Sequence, residues 1–483
     1  MNVLIAAAEA VPFVKVGGMG DVIGSLPKSL IRDGVSCRVI LPGYGFLDHD
    51  RFGLRQCTQF TFPYREERLT ATVYQTESEG VPFYFIVAKP YFGDQTTVYS
   101  ADAEWDVPRF TLFNKLVMEL AVWFSREQGW TPELLQVNDW HMGLLPFLLH
   151  QARRDGRHPL ANTASLVTIH NSAYQGEGGG AYIKDLIEPR RQIDLLDLNL
   201  EDNFLAVAVA YATRINTVSP GFARQIVEEP KPTPLEKLLQ RKQARFSGIL
   251  NGLDFQSWDP EQDPCLDRNF HVNNVVQQRI FNKRALQSEL GLPVDDGAML
   301  IAMVTRLVPQ KGVDLALEAL DQLPCDGSWQ AVILGTGFEA LETQLSAIAA
   351  AKPSHVHALL TFNEQRARQI YASCDVFLMP SRFEPCGMGQ LMAMRYGALP
   401  LVHFTGGLAD TVTRFDQDPE RATGFGFDTP NAQPLHQTLI DASRLFHDDT
   451  ATWRRLQQNA MSADFSWQRS AAAYRDLYMQ CLN

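Results

Sequence analysis

At 483 residues the chain is longer than one hydrophobic core usually fills, so two domains are expected, and a composition 45% hydrophobic and 20% charged is that of a globular protein. A formal charge of −12 with no long basic cluster argues against wholesale nucleic-acid binding, so any anionic ligand has to be met by a few placed cations. Seven scattered cysteines, none spaced C-x-x-C, suggest neither a disulfide framework nor a zinc knuckle and fit a reducing cytoplasm.

The opening MNVLIAAAEA is apolar, but Lys15 follows it rather than preceding it, the wrong order for a secretory signal, and no apolar run approaches the roughly 18 residues of a membrane span. Instead VLIAAA (3–8) reads as a strand, a helix is expected from about Asp21 to Asp33 with Gly34 closing it, and SCRVIL (36–41) is the next strand. Between strand and helix lies KVGGMGD, with Lys15, Gly17, Gly18, Gly20 and Asp21. Glycine lets backbone approach a ligand closely, and a helix N-terminus attracts anions. A dinucleotide fingerprint would need G-x-G-x-x-G and an acid ending the second strand. Here the glycines fall at 18, 20 and 24, and the strand ends in Leu41-Pro42-Gly43.

Further strands are expected at 83–88, 134–137, 165–169 and 215–219, with helical stretches at 110–125 and 203–212. VNDWHMG and TIHNSAYQG bring Asp139, His141, His170, Asn171, Tyr174 and Gln175 to strand ends. Two histidines so placed favour a site, while no third ligand at convincing spacing supports a metal. The triplets DHD (48–50) and DQD (416–418) would suit a metal-dependent glycosyltransferase, but such triplets arise readily by chance.

The strand pattern stops in GILNGLDFQSWDP (248–260), and a second series begins at 298–304, then 330–335, 357–362, 375–380 and 398–404. Two βαβα series predict two doubly wound α/β domains, residues 1–252 and 253–460, with a final helix in 461–483 packing back on the first. Ligands of such sheets bind beyond the strands' carboxyl ends. That is where Arg306 and Lys311 of TRLVPQKG fall, two cations suited to a departing pyrophosphate. Glu384, Cys386 and Gly387 follow the strand at 375–380; a carboxylate there suits neutral hydroxyls such as a sugar's, and Cys386 reads as a packed small residue. Thr405, Gly406 and Gly407 open a helix and form a second candidate anion cradle.

Together KVGGMGDVIGSLPKSL, VNDWHMGLLP, TIHNSAYQG, NGLD, TRLVPQKG, PSRFEPCGMGQLMAMRYG and TGGLADTV resemble the bacterial glycogen synthase and plant starch synthase family over essentially the whole chain. The resemblance implies a GT-B fold and retaining transfer of glucose from ADP-glucose to the 4-hydroxyl of an α-1,4-glucan or maltooligosaccharide, releasing ADP, with no metal or other cofactor. It implies that Lys15 reaches the nucleotide-sugar phosphates, with Gly17 and Gly18 giving close approach and Asp21 touching glucose or acceptor. Arg306 and Lys311 would neutralise the diphosphate, helped by the backbone of Gly406 and Gly407. Glu384 would hold glucose hydroxyls, and His170 would stand at the reacting face, supported by Asp139 and Asn251. Asn171, Cys386, Gly387 and Thr405 join the implied substrate-binding set. The chain departs from common members at Val16, where threonine is usual, at Asn138, where histidine is usual, and at Met392, where the wider retaining signature has a second glutamate.

Overall fold

The structure, a computed structural model, describes residues 1–64, 67–100, 103–179 and 193–483. It divides into two compact units, Met1–Gly252 with Trp467–Asn483, and Leu253–Ser466. Among the described residues no helix is long and apolar enough to cross a membrane.

Among the described residues the first unit has nine strands: β1 (Asn2–Ala6), β2 (Ser36–Pro42), β3 (Arg55–Tyr64), β4 (Glu67–Ser78), β5 (Val81–Val87), β6 (Leu134–Asn138), β7 (Ala164–Ile169), β8 (Arg214–Thr217) and β9 (Phe246–Gly248). They lie in the order β3-β4-β5-β2-β1-β6-β7-β8-β9. From β5 to β9 every pairing is parallel, and β6 and β7 are buried along their whole length, as strands covered on both faces must be. The ribbon of β3 and β4 is antiparallel and faces solvent on one side, so its residues alternate in exposure. That alternation, interrupted by charges and Pro63, is the signal that reading for apolar runs passes over.

The second unit has six parallel strands: β10 (Met299–Val304), β11 (Trp329–Leu334), β12 (Val356–Leu359), β13 (Val376–Met379), β14 (Leu399–His403) and β15 (Phe425–Phe427). Their order is β12-β11-β10-β13-β14-β15. β9 and β15, three residues each, are too short for periodicity to reveal.

The boundary expected at 460/461 falls later. The helix Thr450–Ser462 belongs to the second unit, and the chain beyond it stays there because the Leu253 amide donates to the Phe465 carbonyl at 2.7 Å. The last helix, Trp467–Leu482, lies in the first unit, where it answers polar groups of the sheet. Asn216 of β8 donates through Nδ2 to the Tyr474 hydroxyl at 3.1 Å, and the Tyr478 hydroxyl donates to Gln136 Oε1 of β6. Those pairings explain polar side chains buried in the middle of an apolar sheet.

In the second unit, the helix Val275–Glu289 is pinned to the sheet by buried charge. Lys283 Nζ lies 2.7 Å from Asp375 Oδ2, which also accepts the Leu300 amide at 2.8 Å, and Arg279 donates to the carbonyls of Tyr396 and Tyr371 at 2.9 and 3.1 Å. Removing one partner of a buried pair strands the other. Lys283→Met is therefore expected to destabilise the second unit by about 3 kcal/mol, read as a lowered urea midpoint with an unchanged far-ultraviolet spectrum before the transition.

Candidate active site

Each sheet contains a point where the winding reverses. In the first unit β1 is followed by β2 on one side and has β6 on the other; in the second, β10 has β11 on one side and β13 on the other. Loops leaving such neighbours diverge and open a crevice beyond the strand ends, the position at which open α/β sheets bind ligands. Lys15 follows β1 and Asp139 follows β6; Arg306 and Lys311 follow β10 and Glu384 follows β13. The expected residues thus flank the two reversals.

In the first unit the glycine loop is organised from within. The buried Glu9 accepts the amides of Val16 and Gly17 through Oε2 at 2.6 and 2.8 Å and the Tyr99 hydroxyl through Oε1. A carboxylate of the chain itself thus sits at the N-terminus of the helix Gly18–Arg32, where the helix dipole favours an anion. Neither Gly17 nor Gly18 has positive φ, and a Cβ on either would enter open space. Lys15 Nζ meets Asp21 Oδ1 at 2.7 Å, so the expected phosphate cation and its neighbouring acid are paired.

Beyond β6 and β7 a polar stitch joins three strands. Asp139 has φ +56°, a conformation costly for a side-chain-bearing residue. It is held there by its amide bond to the Thr168 carbonyl at 3.0 Å and by its Oδ1, which accepts the amides of His170 and Asn171 at 2.7 and 3.3 Å. Burial outweighs those two bonds and pushes its carboxyl up to about 7. Asn138 donates through Nδ2 to the Ala6 carbonyl at 2.9 Å, which turns Oδ1 toward His170 Nε2, also at 2.9 Å. Nε2 must then carry the proton, and Nδ1 is the ring's acceptor. Burial lowers His170 to about 3, so the ring is neutral near pH 7.

His141 belongs to the core. Its ring packs between Trp140 and Phe110 at 4.2 and 4.7 Å, and burial, reinforced by Arg109, lowers it to about 3. Asn251 is buried, and its Oδ1 has no partner among the described residues. Tyr174 is exposed, and Gln175 accepts Asn203 Nδ2 through Oε1 at 2.6 Å.

In the second unit Lys311 Nζ lies 2.6 Å from Glu384 Oε2, which also accepts the Ser381 hydroxyl at 3.0 Å. The carboxylate expected to face only neutral hydroxyls is thus joined to the cation expected on the diphosphate; both contacts fall on Oε2. Arg306 is exposed in the same loop as Lys311. At the expected cradle the Gly407 amide donates to the Glu384 carbonyl at 3.0 Å. A Cβ on Gly407 would come within 2.4 Å of the Cys386 carbonyl oxygen, so this glycine serves close packing of two loops. Cys386 is buried; its carbonyl and that of Gly387, which turns at φ +76°, both accept Gln390 Nε2 at 3.1 Å. The Thr405 carbonyl accepts the Leu408 amide at 3.0 Å.

Both D-x-D triplets serve local structure. Asp48 caps a short helix by accepting the Arg51 amide at 2.9 Å, Asp416 is bound by Arg414, and Asp418 accepts the Arg421 amide at 3.2 Å. Among the described residues no group of three His, Cys, Asp or Glu side chains is placed to hold a metal.

Two residues of interest escaped the sequence reading. Glu9 left a trace, a lone charge within an apolar run before the glycine loop. Phe362 left none, because HALLTF reads as one strand; β12 ends at Leu359, and Phe362, beyond its carboxyl end, is 85% exposed, more than any other large apolar side chain among the described residues.

Comparison with known proteins adds an independent line. Residues 2–241 match the family model described as starch synthase catalytic domain, and residues 290–460 match glycosyl transferases group 1. Glycogen synthase of Streptococcus equi is 38% identical across 100% of both chains, and glycogen synthase 1 of Synechocystis is 39% identical across 99% of this chain and 94% of its own. The catalytic domain of starch synthase IV from Arabidopsis thaliana, solved bound to ADP and acarbose, superposes with a TM-score of 0.90 at 32% identity, covering 100% of this chain and 99% of that one. Sucrose-phosphate synthase from Thermosynechococcus elongatus, at TM-score 0.60 and 17% identity over 99% of this chain and 98% of its own, shares the fold.

The buried groups set a pH dependence. Folded Asp139 keeps a proton that the unfolded chain releases between about pH 4 and 7, so the stability it contributes in acid is lost as pH rises through that window. His141 and His170 act oppositely: their contribution is present above about pH 6.5 and lost as pH falls toward 3. Asp139→Asn removes the opposing contribution. Between pH 7 and pH 5 the variant is expected to lose about 2 kcal/mol more stability than the wild type, measured from urea midpoints at the two pH values.

Proposed function

The chain belongs to the glycogen synthase and starch synthase family, and from that premise we propose that it transfers glucose from ADP-glucose to the non-reducing 4-hydroxyl of an α-1,4-glucan with retention at the anomeric carbon. It is a glycosyltransferase with two parallel-sheet α/β domains of the GT-B kind. The observation that carries the finer reading is the pairing of Lys311 with Glu384 across the winding reversal of the second sheet, with Arg306 exposed beside it.

In this reading Arg306 and Lys311 stabilise the charge that grows on the diphosphate as the bond to glucose breaks. Glu384 keeps Oε2 on Lys311 and offers Oε1 to glucose hydroxyls. Lys15 meets the phosphates, exchanging its bond to Asp21, and the open space over Gly17 and Gly18 admits the donor closely. Asp21 then faces a sugar. His170, neutral and acting through Nδ1, stands at the reacting face as a hydrogen-bonding group, with Asp139 holding its amide and that of Asn171, and with Asn251 as a further polar support. Cys386, Gly387, Thr405, Gly406 and Gly407 shape the backbone against which the sugar and phosphates lie. Phe362 offers the nucleobase an aromatic face.

Glu384 is committed to hydroxyls and to Lys311, so the acceptor attacks from the face that the diphosphate leaves. The C1–O bond to phosphate breaks, the bond from C1 to the glucan O4 forms, and a departing phosphate oxygen takes the acceptor's proton. Charge neutralisation comes from side chains and not from a metal. A cytoplasmic setting, supported by seven free cysteines, completes the reading.

With ADP-glucose and a short maltooligosaccharide, elongated chains and released ADP are expected, faster than with UDP-glucose; an intact donor and unchanged oligosaccharide would refute glucan synthesis. Lys311→Ala and Glu384→Ala are each expected to lower kcat by roughly 10²-fold. Near-normal turnover in either would remove that residue from the mechanism.

A further inference from the structure

We propose that Arg382 is a positioning residue for glucosyl transfer, clamping the loop after β10 to the loop after β13 and thereby fixing the Lys311–Glu384 pair, an inference that rests on the roles given to those two side chains above. Arg382 stands two residues before Glu384 and makes four hydrogen bonds to three residues around Lys311, Pro309, Gln310 and Asp314. Its amide donates to the Gln310 carbonyl at 2.8 Å, and Nη1 donates to the Pro309 carbonyl at 2.6 Å. Nη1 and Nη2 then grip Asp314 Oδ1 and Oδ2 at 2.8 and 2.7 Å, a bidentate fork that fixes orientation as well as distance. The loops answer in the other direction through Gln310 Nε2, which donates to the Phe383 carbonyl at 3.3 Å.

These bonds bracket Lys311 on both sides, at 309–310 and at 314, and they hold the chain just before Glu384, at 382 and 383. Glycine at 312 allows the approach: its φ is +65°, and a Cβ there would stand 2.0 Å from the Pro380 carbonyl oxygen. Asp314 is held below the usual carboxylate range by the bond from Arg382, so it stays ionised at neutral pH. Arg382 and Asp314 are 37% and 38% exposed. An ion pair that open to water adds little to global stability. Its bidentate geometry across two loops at a winding reversal can nevertheless decide where Nζ of Lys311 sits relative to a leaving group, and small misplacements of such groups are costly to rate. The pair therefore acts on turnover more than on folding, which separates it from an ordinary surface bridge.

The test is a double-mutant cycle with Arg382→Gln, Asp314→Asn and the two combined, assayed with ADP-glucose and maltooligosaccharide. Each single variant is expected to lower kcat about 10-fold, with the donor KM within about twofold of wild type and the thermal midpoint within roughly 2 °C. The double variant is expected to be no slower than Arg382→Gln alone, because one interaction is being removed twice. Single variants with wild-type kcat, or a double loss equal to the product of the single losses, would overturn the clamp. Lys311→Ala in the same assay separates the two levels. If it is crippled while Arg382→Gln turns over normally, only the clamp falls; if Lys311→Ala itself keeps full rate, the assignment of Lys311 and the clamp built on it fall together.

Discussion

A parallel sheet wound outward in both directions from an inner strand cannot cover the carboxyl end of that strand and the neighbour beyond the reversal with one connection, because the two chains leave in opposite senses. Both units obey this constraint, and most of the arrangement follows from it. At the reversal between β10 and β13 the chain places a cation and a carboxylate from opposite loops within hydrogen-bonding distance. At the reversal between β1 and β6 it places a glycine loop on one side and a strained aspartate on the other. The side chains proposed for the chemistry thus lie where the architecture leaves room for them.

Charges gathered at such points are costly unless they are partnered. The two units solve this alike. Lys15 is balanced by Asp21 and Lys311 by Glu384, so both lysines expected on phosphate already have a carboxylate at hand. The pairs differ in depth: Lys15 and Asp21 are 39% and 22% exposed, Lys311 and Glu384 19% and 6%. The deeper pair is also the more heavily braced, by Ser381 and by the Gly407 amide on the Glu384 backbone. Glu9 extends the principle to the backbone of the first unit, supplying an internal anion to amides that would otherwise be bare.

How much of this the sequence disclosed depends on whether the information is local. Buried strands such as β6, β7, β10 and β13 announce themselves as apolar runs, and the placement of Asp139, His170, Arg306 and Glu384 after them follows directly. The order of the strands does not, since nothing in the runs says that β1 pairs with β6 or β10 with β13; the crevices became visible only with the sheet topology. Partners distant in sequence were equally hidden. Lys311 and Glu384 are 73 positions apart, and their separate surroundings suggested an anion site and a hydroxyl site that the fold makes one. The Gly17 and Gly407 amides looked available because glycine motifs advertise backbone, whereas occupancy of that backbone is a tertiary fact. Asn138 looked like a departure from a common histidine, but its amide links Ala6 to His170 and so decides which ring nitrogen is protonated.

The last helix has a consequence for how the molecule is made. Its tyrosines answer Gln136 and Asn216, yet it is made only after the whole of the second unit. The nascent first unit must therefore hold a polar, uncovered sheet surface throughout synthesis of the contiguous second unit, which can close as soon as it emerges. Vectorial production thus reverses the usual order of maturation, in which the N-terminal body finishes first.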